Sequence, residues 1–400
     1  MKQKFIIGYD AKRIVSNGTG LGSYGRTLVN DIARCAKSGN GCAESPYSAL
    51  QLRLYAPNEG KECLRQMVSQ SENIVFSVRK HRFPSKKTPF SAVENALWRT
   101  HGIINDLQHD GVQLYHGLSG ELPIGIRKSG IKSVVTIHDL IFLRHPEYYH
   151  PWDVRIYKWK FHRTCREADR IIAISECTKR DIIELGGVEA DKIEVVYQGF
   201  AQRYHGSVSP EQQEATRRRH NLPDRYVLNV GTVEERKNVL LAVKALALLP
   251  EDVSLVVVGR ETKYTAKVNQ YAEEHRLSSR VHLLHGIDDT DLHAIYSCAE
   301  AFVYPSRYEG FGIPIIEAIG CGLPVVACTG SCLEEAGGPD SLYVGPDDVE
   351  AMADAISRSL KGALGREERI ARSSRYIQRF MEADTAAKVA EIYRKIINNL

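Results

Sequence analysis

Two glutamates bracket the stretch Glu309-Gly310-Phe311-Gly312-Ile313-Pro314-Ile315-Ile316-Glu317. It follows the apolar run Ala301–Tyr304, which reads as a strand, and Pro314 suits the first positions of a helix. Gly310 and Gly312 expose backbone donors just before that helix. Glu317 is expected in its first turn, with Cβ tilted back toward the N-terminus. An acid there stabilises any helix, and Glu309 alone would be a solvated loop charge. Both acids together, around two glycines at a strand end, form a donor-rich concavity whose carboxylates accept hydrogen bonds from sugar hydroxyls. Upstream, Gly231-Thr232-Val233-Glu234-Glu235-Arg236-Lys237-Asn238 also follows a strand and opens a helix. Arg236 and Lys237 there are placed to meet a diphosphate.

Gly20, Gly22 and Gly25 fit the G-x-G-x-x-G dinucleotide fingerprint. The loop starts several residues after the first strand, and Tyr55-Ala56-Pro57-Asn58 offers no acidic residue at the end of the second strand. NAD binding is therefore disfavoured. Three glycines before a helix near Ser23 still suit a phosphate or another anion. The competing reading is a structural turn. His138, at the end of the strand Ser133–Ile137, is either a reacting-site residue or a packed histidine with Asp139 capping the next segment. Asp289-Thr290-Asp291 matches the Asp-x-Asp of metal-dependent transferases. It reads here as a helix start, one of these residues capping Leu292–Ser297, so no metal is expected.

Short apolar runs alternate with helical stretches, the pattern of parallel α/β sheets. Expected strands are Phe5–Tyr9, Leu50–Tyr55, Leu114–Tyr115, Ser133–Ile137, Arg170–Ile174 and Lys192–Val196. After them come Tyr226–Val230, Ser254–Val258, Val281–Leu284, Ala301–Tyr304 and Pro324–Ala327. Expected helices are Ser23–Ala36, Ala92–Gln108, Tyr157–Ala168, Lys179–Leu185 and Val239–Leu248. Residues 201–224 break the alternation and read as a linker between domains at 1–200 and 225–380. Residues 381–400 end in an amphipathic helix, with Ala386, Val389, Ile392, Tyr393 and Ile396 along one stripe.

With 400 residues and 43% hydrophobic content, two globular domains are expected. The net charge of +4 is too small to imply nucleic-acid binding. Residues 1–200 hold 29 Lys+Arg against 21 Asp+Glu, and the remainder 24 against 28. The basic half suits an anionic partner or a membrane surface, or reflects solvated scatter. Two segments there combine basic and aromatic residues, Arg79–Lys87 and Trp152–Arg166. Either is suited to anionic headgroups, and the second equally to an ordinary amphipathic helix. Nine cysteines without a C-x-x-C pair indicate neither a disulfide framework nor zinc. The first residues read as a strand and not a signal peptide, and no 18-residue apolar run occurs. A cytoplasmic location is expected, with peripheral attachment at the inner face of the membrane.

Taken in order, the glycine loop, Thr136-Ile137-His138-Asp139-Leu140, the Gly231…Arg236-Lys237-Asn238 turn and the Glu309-to-Glu317 motif resemble family-4 retaining glycosyltransferases of the GT-B fold. The resemblance spans nearly the whole chain. The Gly-Thr-x-Glu-x-Arg-Lys-Asn form is similar to bacterial O-antigen and exopolysaccharide mannosyltransferases. It implies two Rossmann-like α/β domains with parallel sheets facing across a cleft, and a last helix crossing back to the first domain. The first domain would bind the acceptor, a glycan or lipid-linked glycan. The second would bind a nucleotide-diphosphate sugar, GDP-mannose ahead of UDP-hexoses. By the same resemblance Glu309 and the Gly310-Phe311-Gly312 backbone meet the donor sugar and Glu317 the ribose. Lys237 and Arg236 neutralise the diphosphate, and His138 sits at the reacting sugar. Gly20 and Gly22 approach the β-phosphate. Thr232 departs from the arginine many members carry there. Other classes on such a scaffold are a non-catalytic nucleotide-sugar binder, a sugar-nucleotide epimerase and an NAD-dependent oxidoreductase.

Overall fold

The chain was analysed as a computed structural model, described for residues 5–38, 50–79, 89–199, 204, 206–380 and 382–398. For 36–38, 89–91 and 382–384 only the backbone is described. Of the basic segment Arg79–Lys87, all but Arg79 lies outside the described residues, as do 201–203 and 205 of the expected linker.

The chain divides into two compact units, one of Met1–Gln198 with Glu382–Leu400 and one of Gly199–Met381. The first unit holds strands β1 (Phe5–Asp10), β2 (Leu50–Ala56), β3 (Ile74–Val78), β4 (Leu114–Gly117), β5 (Lys132–Ile137), β6 (Arg170–Ala173) and β7 (Ile193–Val195). They form one sheet in the order β3-β2-β1-β4-β5-β6-β7. The second holds β8 (Arg225–Val230), β9 (Val253–Val258), β10 (Val281–Leu284), β11 (Ala301–Tyr304), β12 (Val325–Cys328) and β13 (Leu342–Val344), ordered β10-β9-β8-β11-β12-β13. All paired strands run parallel. Helices on both faces explain why β9 (VSLVVV) is buried throughout and apolar at every residue but Ser254, instead of alternating. Both sheets are doubly wound and Rossmann-like, and the strand order reverses between β1 and β4 in one and between β8 and β11 in the other. In such sheets ligands sit beyond the strand C-termini at that reversal.

The C-terminal helix Glu382–Ile397 belongs to the first unit. Its stripe Ala386, Val389, Ile392, Tyr393 and Ile396 shares one core with Ile7, Tyr24 and Leu28.

Two edge strands, β3 and β13, escape the sequence reading, because each is short and only partly buried. The helix expected over Ala92–Gln108 is three pieces: Pro89–Leu97, a π-helical turn Trp98–Gly102, and Ile103–His109. Trp98 Nε1 donates to Asp106 at 2.7 Å across the wide turn. Residues 210–220 of the expected linker form a helix, Pro210–His220, fastened to the second unit. Arg219 Nη1 and His220 Nε2 each lie 2.7 Å from Asp291 Oδ2. The helix that bears Asp291 spans Asp289–Cys298 and its cap is Asp288, one residue before the expected triplet: Asp288 Oδ1 accepts from Asp291 N at 2.8 Å.

Candidate functional site

In the second unit, the loop after β8 turns through the 3-10 segment Glu235–Lys237 and stops at Asn238, which is left-handed at φ 52°. Asn238 Nδ2 donates to Pro346 O at 2.8 Å, and Arg307 N donates to Arg236 O at 2.8 Å. These bonds tie the cationic turn to the loops after β13 and β11, and both side chains meet the second of these. Lys237 Nζ lies 2.5 Å from Glu309 Oε1 and Arg236 Nη1 2.9 Å from Glu309 Oε2. Lys237 Nζ also donates to Tyr304 Oη at 2.6 Å and Arg236 Nη1 to Tyr308 O at 2.6 Å. Arg236 Nη2 further meets Glu234 Oε1 at 2.7 Å.

Burial alone would raise the Glu309 carboxyl, but Lys237 and Arg236 outweigh it and hold it at about 2. Burial works against the charge on Lys237, and Glu309 more than offsets it, so the amine sits above its ordinary value. All three groups are charged at neutral pH. With Glu234 on Arg236, two cations and two carboxylates meet at the C-terminal ends of β8 and β11, and a phosphate entering there exchanges for a carboxylate.

Gly312, at φ 110°, opens the helix Ile313–Gly320, with Pro314 in its first turn. A side chain there would be strained, and its Cβ would lie 3.2 Å from Leu333 Cδ2. Cys332 Sγ donates to Glu309 O and Phe311 O at 3.1 and 2.9 Å, strapping the loop from behind. The Phe311 ring packs edge-on to Phe380 at 5.2 Å in the core, so at this loop it is the Phe311 backbone, not its ring, that is available. Glu317 is the fifth residue of the helix and not in its first turn, which holds no acid. Tyr296 Oη donates to its Oε2 at 3.2 Å.

In the first unit, the glycine loop enters the helix Gly20–Ser38 three residues earlier than expected. A Cβ on Gly22 would stand 1.9 Å from Asn17 O, and one on Gly25 would stand 2.8 Å from Ile14 Cγ1. Gly22 and Gly25 therefore serve close packing against the preceding turn. Gly20 has open space around it at the helix start, where the first amides lack intrahelical partners. Arg26, buried, donates to Ile14 O and Asn17 O at 2.9 Å each and holds that turn.

His138 follows β5. Its Nε2 lies 2.9 Å from Leu118 O and its Nδ1 2.9 Å from Gln198 Nε2. A carbonyl only accepts, so Nε2 carries the proton and Nδ1 accepts from the Gln198 amide. Burial lowers its pKa to about 4, so the ring is neutral. His138 borders a cavity of about 250 Å³ with Glu121, Phe142, Tyr149, Tyr157 and Lys160.

The structure thus brings Arg236, Lys237 and Glu309 into direct contact, with Gly310–Gly312 in the same loop. His138, Gly20 and Gly22 belong to the other unit. Sequence reasoning missed Tyr304, which bridges Lys237 and Glu309, although its place at the end of β11 was a signal. It also missed Gln198 and Glu121, which no local motif marks.

Known proteins resemble the chain in sequence and fold. The family described as glycosyl transferases group 1 matches residues 211–376, and the one described as glycosyltransferase family 4 matches residues 50–201. The O-antigen chain mannosyltransferase B of Escherichia coli is 31% identical over 287 residues, 70% of this chain and 74% of that protein. The serotype-specific mannosyltransferase WbdA of Escherichia coli is 25% identical over 299 residues, 72% of this chain but 37% of that longer protein. The crystal structure of Anabaena Alr3699/HepE in complex with UDP superposes with a TM-score of 0.73 at 18% identity, covering 98% of this chain and 100% of that one. Such a likeness speaks for the fold alone. With two Rossmann-like units, both family patterns and a 31% identical relative, the chain belongs to the family-4 glycosyltransferases of GT-B fold.

Proposed function

We propose that this glycosyltransferase moves a hexose, mannose in preference to others, from a nucleotide-diphosphate sugar to a glycan or lipid-linked glycan. The preferred donor is GDP-mannose, with UDP-hexoses second. The reading rests chiefly on the Lys237–Glu309–Arg236 cluster at the strand reversal of the second unit. The mannosyltransferase names of the bacterial relatives support the choice of sugar.

Breaking the sugar–diphosphate bond puts negative charge on the leaving group. Arg236 and Lys237 offset it as fixed cations that need no reorganisation. Glu309 accepts hydrogen bonds from the sugar hydroxyls, Gly310–Gly312 offer backbone amides, and Glu317 holds the ribose. His138, Gly20 and Gly22 keep the roles the family resemblance gives them. Transfer retains the anomeric configuration by a front-face route, the departing phosphate oxygen taking the proton of the acceptor hydroxyl. No metal takes part: the Asp-x-Asp acid Asp291 is committed to Arg219 and His220. The enzyme works in the cytoplasm, peripherally attached to the inner face of the membrane.

A thermal-shift panel of GDP, UDP, ADP and their sugar conjugates tests the donor, since a ligand of the folded state raises its stability. Stabilisation by GDP-mannose in excess EDTA is expected. Stabilisation by none of the nucleotides would sink the proposal, and an inverted anomer in the product would sink its stereochemical part.

A further inference from the structure

Arg236 meets two carboxylates, and a diphosphate can use its guanidinium fully only by exchange with one of them. The two are held very differently. The Glu234 side chain is 39% exposed, against 11% for Glu309. Its backbone is fixed, since Lys237 N donates to Glu234 O at 3.0 Å, and its Oε1 reaches Arg236 Nη2 at 2.7 Å. A well-exposed ion pair contributes little and parts easily. Glu309 is the opposite case. Lys237 Nζ engages its Oε1 and Arg236 Nη1 its Oε2. Burial lowers the Arg236 guanidinium, and Glu309, ahead of Glu234, more than restores it. Pulling the buried carboxylate off two cations would leave it unpaired, which is costly.

Tyr304 adds a third tie to Glu309. Buried at the end of β11, its hydroxyl accepts from Lys237 Nζ at 2.6 Å and donates to Glu309 Oε1 at 3.3 Å. Burial and the Glu309 charge push that hydroxyl up to about 12, so it stays a donor at neutral pH. The donated bond involves neither cation. When a phosphate takes a share of Lys237 and Arg236, Tyr304 still holds Glu309 Oε1. Arg236 in turn keeps its aim without Glu234, because Nη1 donates to Tyr308 O at 2.6 Å and Arg307 N donates to Arg236 O at 2.8 Å.

We propose that Glu234 is the carboxylate a donor phosphate displaces from Arg236, and that Tyr304 is a positioning residue that keeps Glu309 in place for the sugar. The inference rests on the glycosyl-transfer reading and adds which acid yields to the phosphate and which stays. Glu234 turns to water, while Glu309 goes on sharing Lys237 and Arg236 with the phosphate.

Isothermal titration of the full chain with GDP and GDP-mannose tests both halves, with UDP and UDP-glucose in their place if the unmodified protein prefers them. Glu234→Gln should bind GDP about tenfold tighter, since a charged competitor for Nη2 is gone. Glu235→Gln removes an exposed charge one residue further on and should change GDP affinity by less than about twofold. Weaker GDP binding in Glu234→Gln, or an equal gain in both variants, overturns the displacement. Tyr304→Phe keeps the ring, whose centre lies 4.9 Å from Lys237 Nζ, and loses the hydroxyl alone. GDP-mannose should bind this variant about fivefold more weakly while GDP stays within about twofold, since only the sugar needs Glu309 in place. Equal weakening of both ligands would reduce Tyr304 to a structural support, and undiminished binding of both would remove its role. If the unmodified protein binds a nucleotide and these outcomes fail, the inference falls while the functional reading stands. If it binds none of these ligands, the functional reading falls.

Discussion

At Glu309, burial and charge pull in opposite directions, and charge wins. The carboxylate is held near 2 because two cations face it, and those are the cations a diphosphate would use. Nucleotide phosphate and Glu309 therefore compete for Lys237 and Arg236. Glu309→Gln removes the competitor, so GDP should bind about tenfold tighter, a charge-assisted hydrogen bond being worth about 1.5–3 kcal/mol. Turnover should fall at least a hundredfold as the sugar loses its acceptor, and isothermal titration beside steady-state kinetics separates the two effects. Weaker GDP binding in this variant would contradict the competition. Two buried histidines set a second expectation. Burial lowers His138 to about 4 and His116 to about 3, against about 6.5 in the unfolded chain. The unfolded state then binds more protons below 6.5, so stability present above that pH is lost as pH falls toward 4 and then 3. The Glu309 contribution is present above about 4.5 and lost only as pH falls toward 2. Thermal midpoints should drop from pH 7 to 5, with a shallower slope in His116→Gln. At this scale Arg236, Lys237 and Glu309 were legible because each sits in a short local pattern beside a strand end, while Glu317 was expected one turn too early in its helix. Arg99, Glu121 and Gln198 were not, since their partners lie tens of residues away and only the sheet order brings them together.

Among the elements, the returning C-terminal helix does more than fill a core. Its Tyr393 Oη lies 2.6 Å from His116 Nδ1, His116 Nε2 lies 2.8 Å from Thr136 Oγ1, and Thr136 Oγ1 lies 3.0 Å from Tyr24 Oη. The Tyr24 ring then meets the His138 ring edge-on at 4.9 Å. The chain of bonds links the last helix to β4, the end of β5 and the glycine-loop helix, all buried. Tyr393→Phe leaves one buried partner unsatisfied, at a cost of about 1–3 kcal/mol. Its midpoint should fall by a few degrees, and kcat should fall several-fold at unchanged donor KM because His138 loses part of its support. Ile396→Val, on the same face, should lower the midpoint and leave kcat intact; equal kcat losses in both would reduce the network to packing. The amphipathic stripe of this helix was visible in the sequence, as were most strands, because a strand buried on both faces writes an unbroken apolar run. The π-helical turn was not visible, because the apolar periodicity of 92–108 continues straight through it.

Charge and apolar surface are unevenly shared over the whole chain, and one helix of the first unit concentrates both. On Pro151–Glu167, Phe161 is buried while Tyr157 and Lys160 line the cavity beside His138. One turn away, Trp152, Ile156 and Trp159 stand 65, 49 and 54% exposed, among the exposed Arg155 and Lys158. The sequence allowed either a core helix or a docking face; the structure buries Phe161 and leaves Trp152, Ile156 and Trp159 exposed. Arg155 lies over the Trp152 ring at 5.5 Å and Arg163 over the Trp159 ring at 5.2 Å. A row of exposed aromatics among cations is costly in water and favourable at an anionic bilayer surface, where rings enter the headgroup layer and each cation adds about 1 kcal/mol. Among the described residues no helix is long and apolar enough to cross a membrane, so attachment through this face would be peripheral. The full chain should therefore sediment with vesicles containing anionic phospholipid, less with neutral ones, and detach progressively as salt shortens the screening length. Trp152→Ala with Trp159→Ala should abolish sedimentation while transfer to a water-soluble acceptor glycan persists. Equal sedimentation with neutral and anionic vesicles would remove the electrostatic half of this reading, and no sedimentation at low salt would remove the surface altogether.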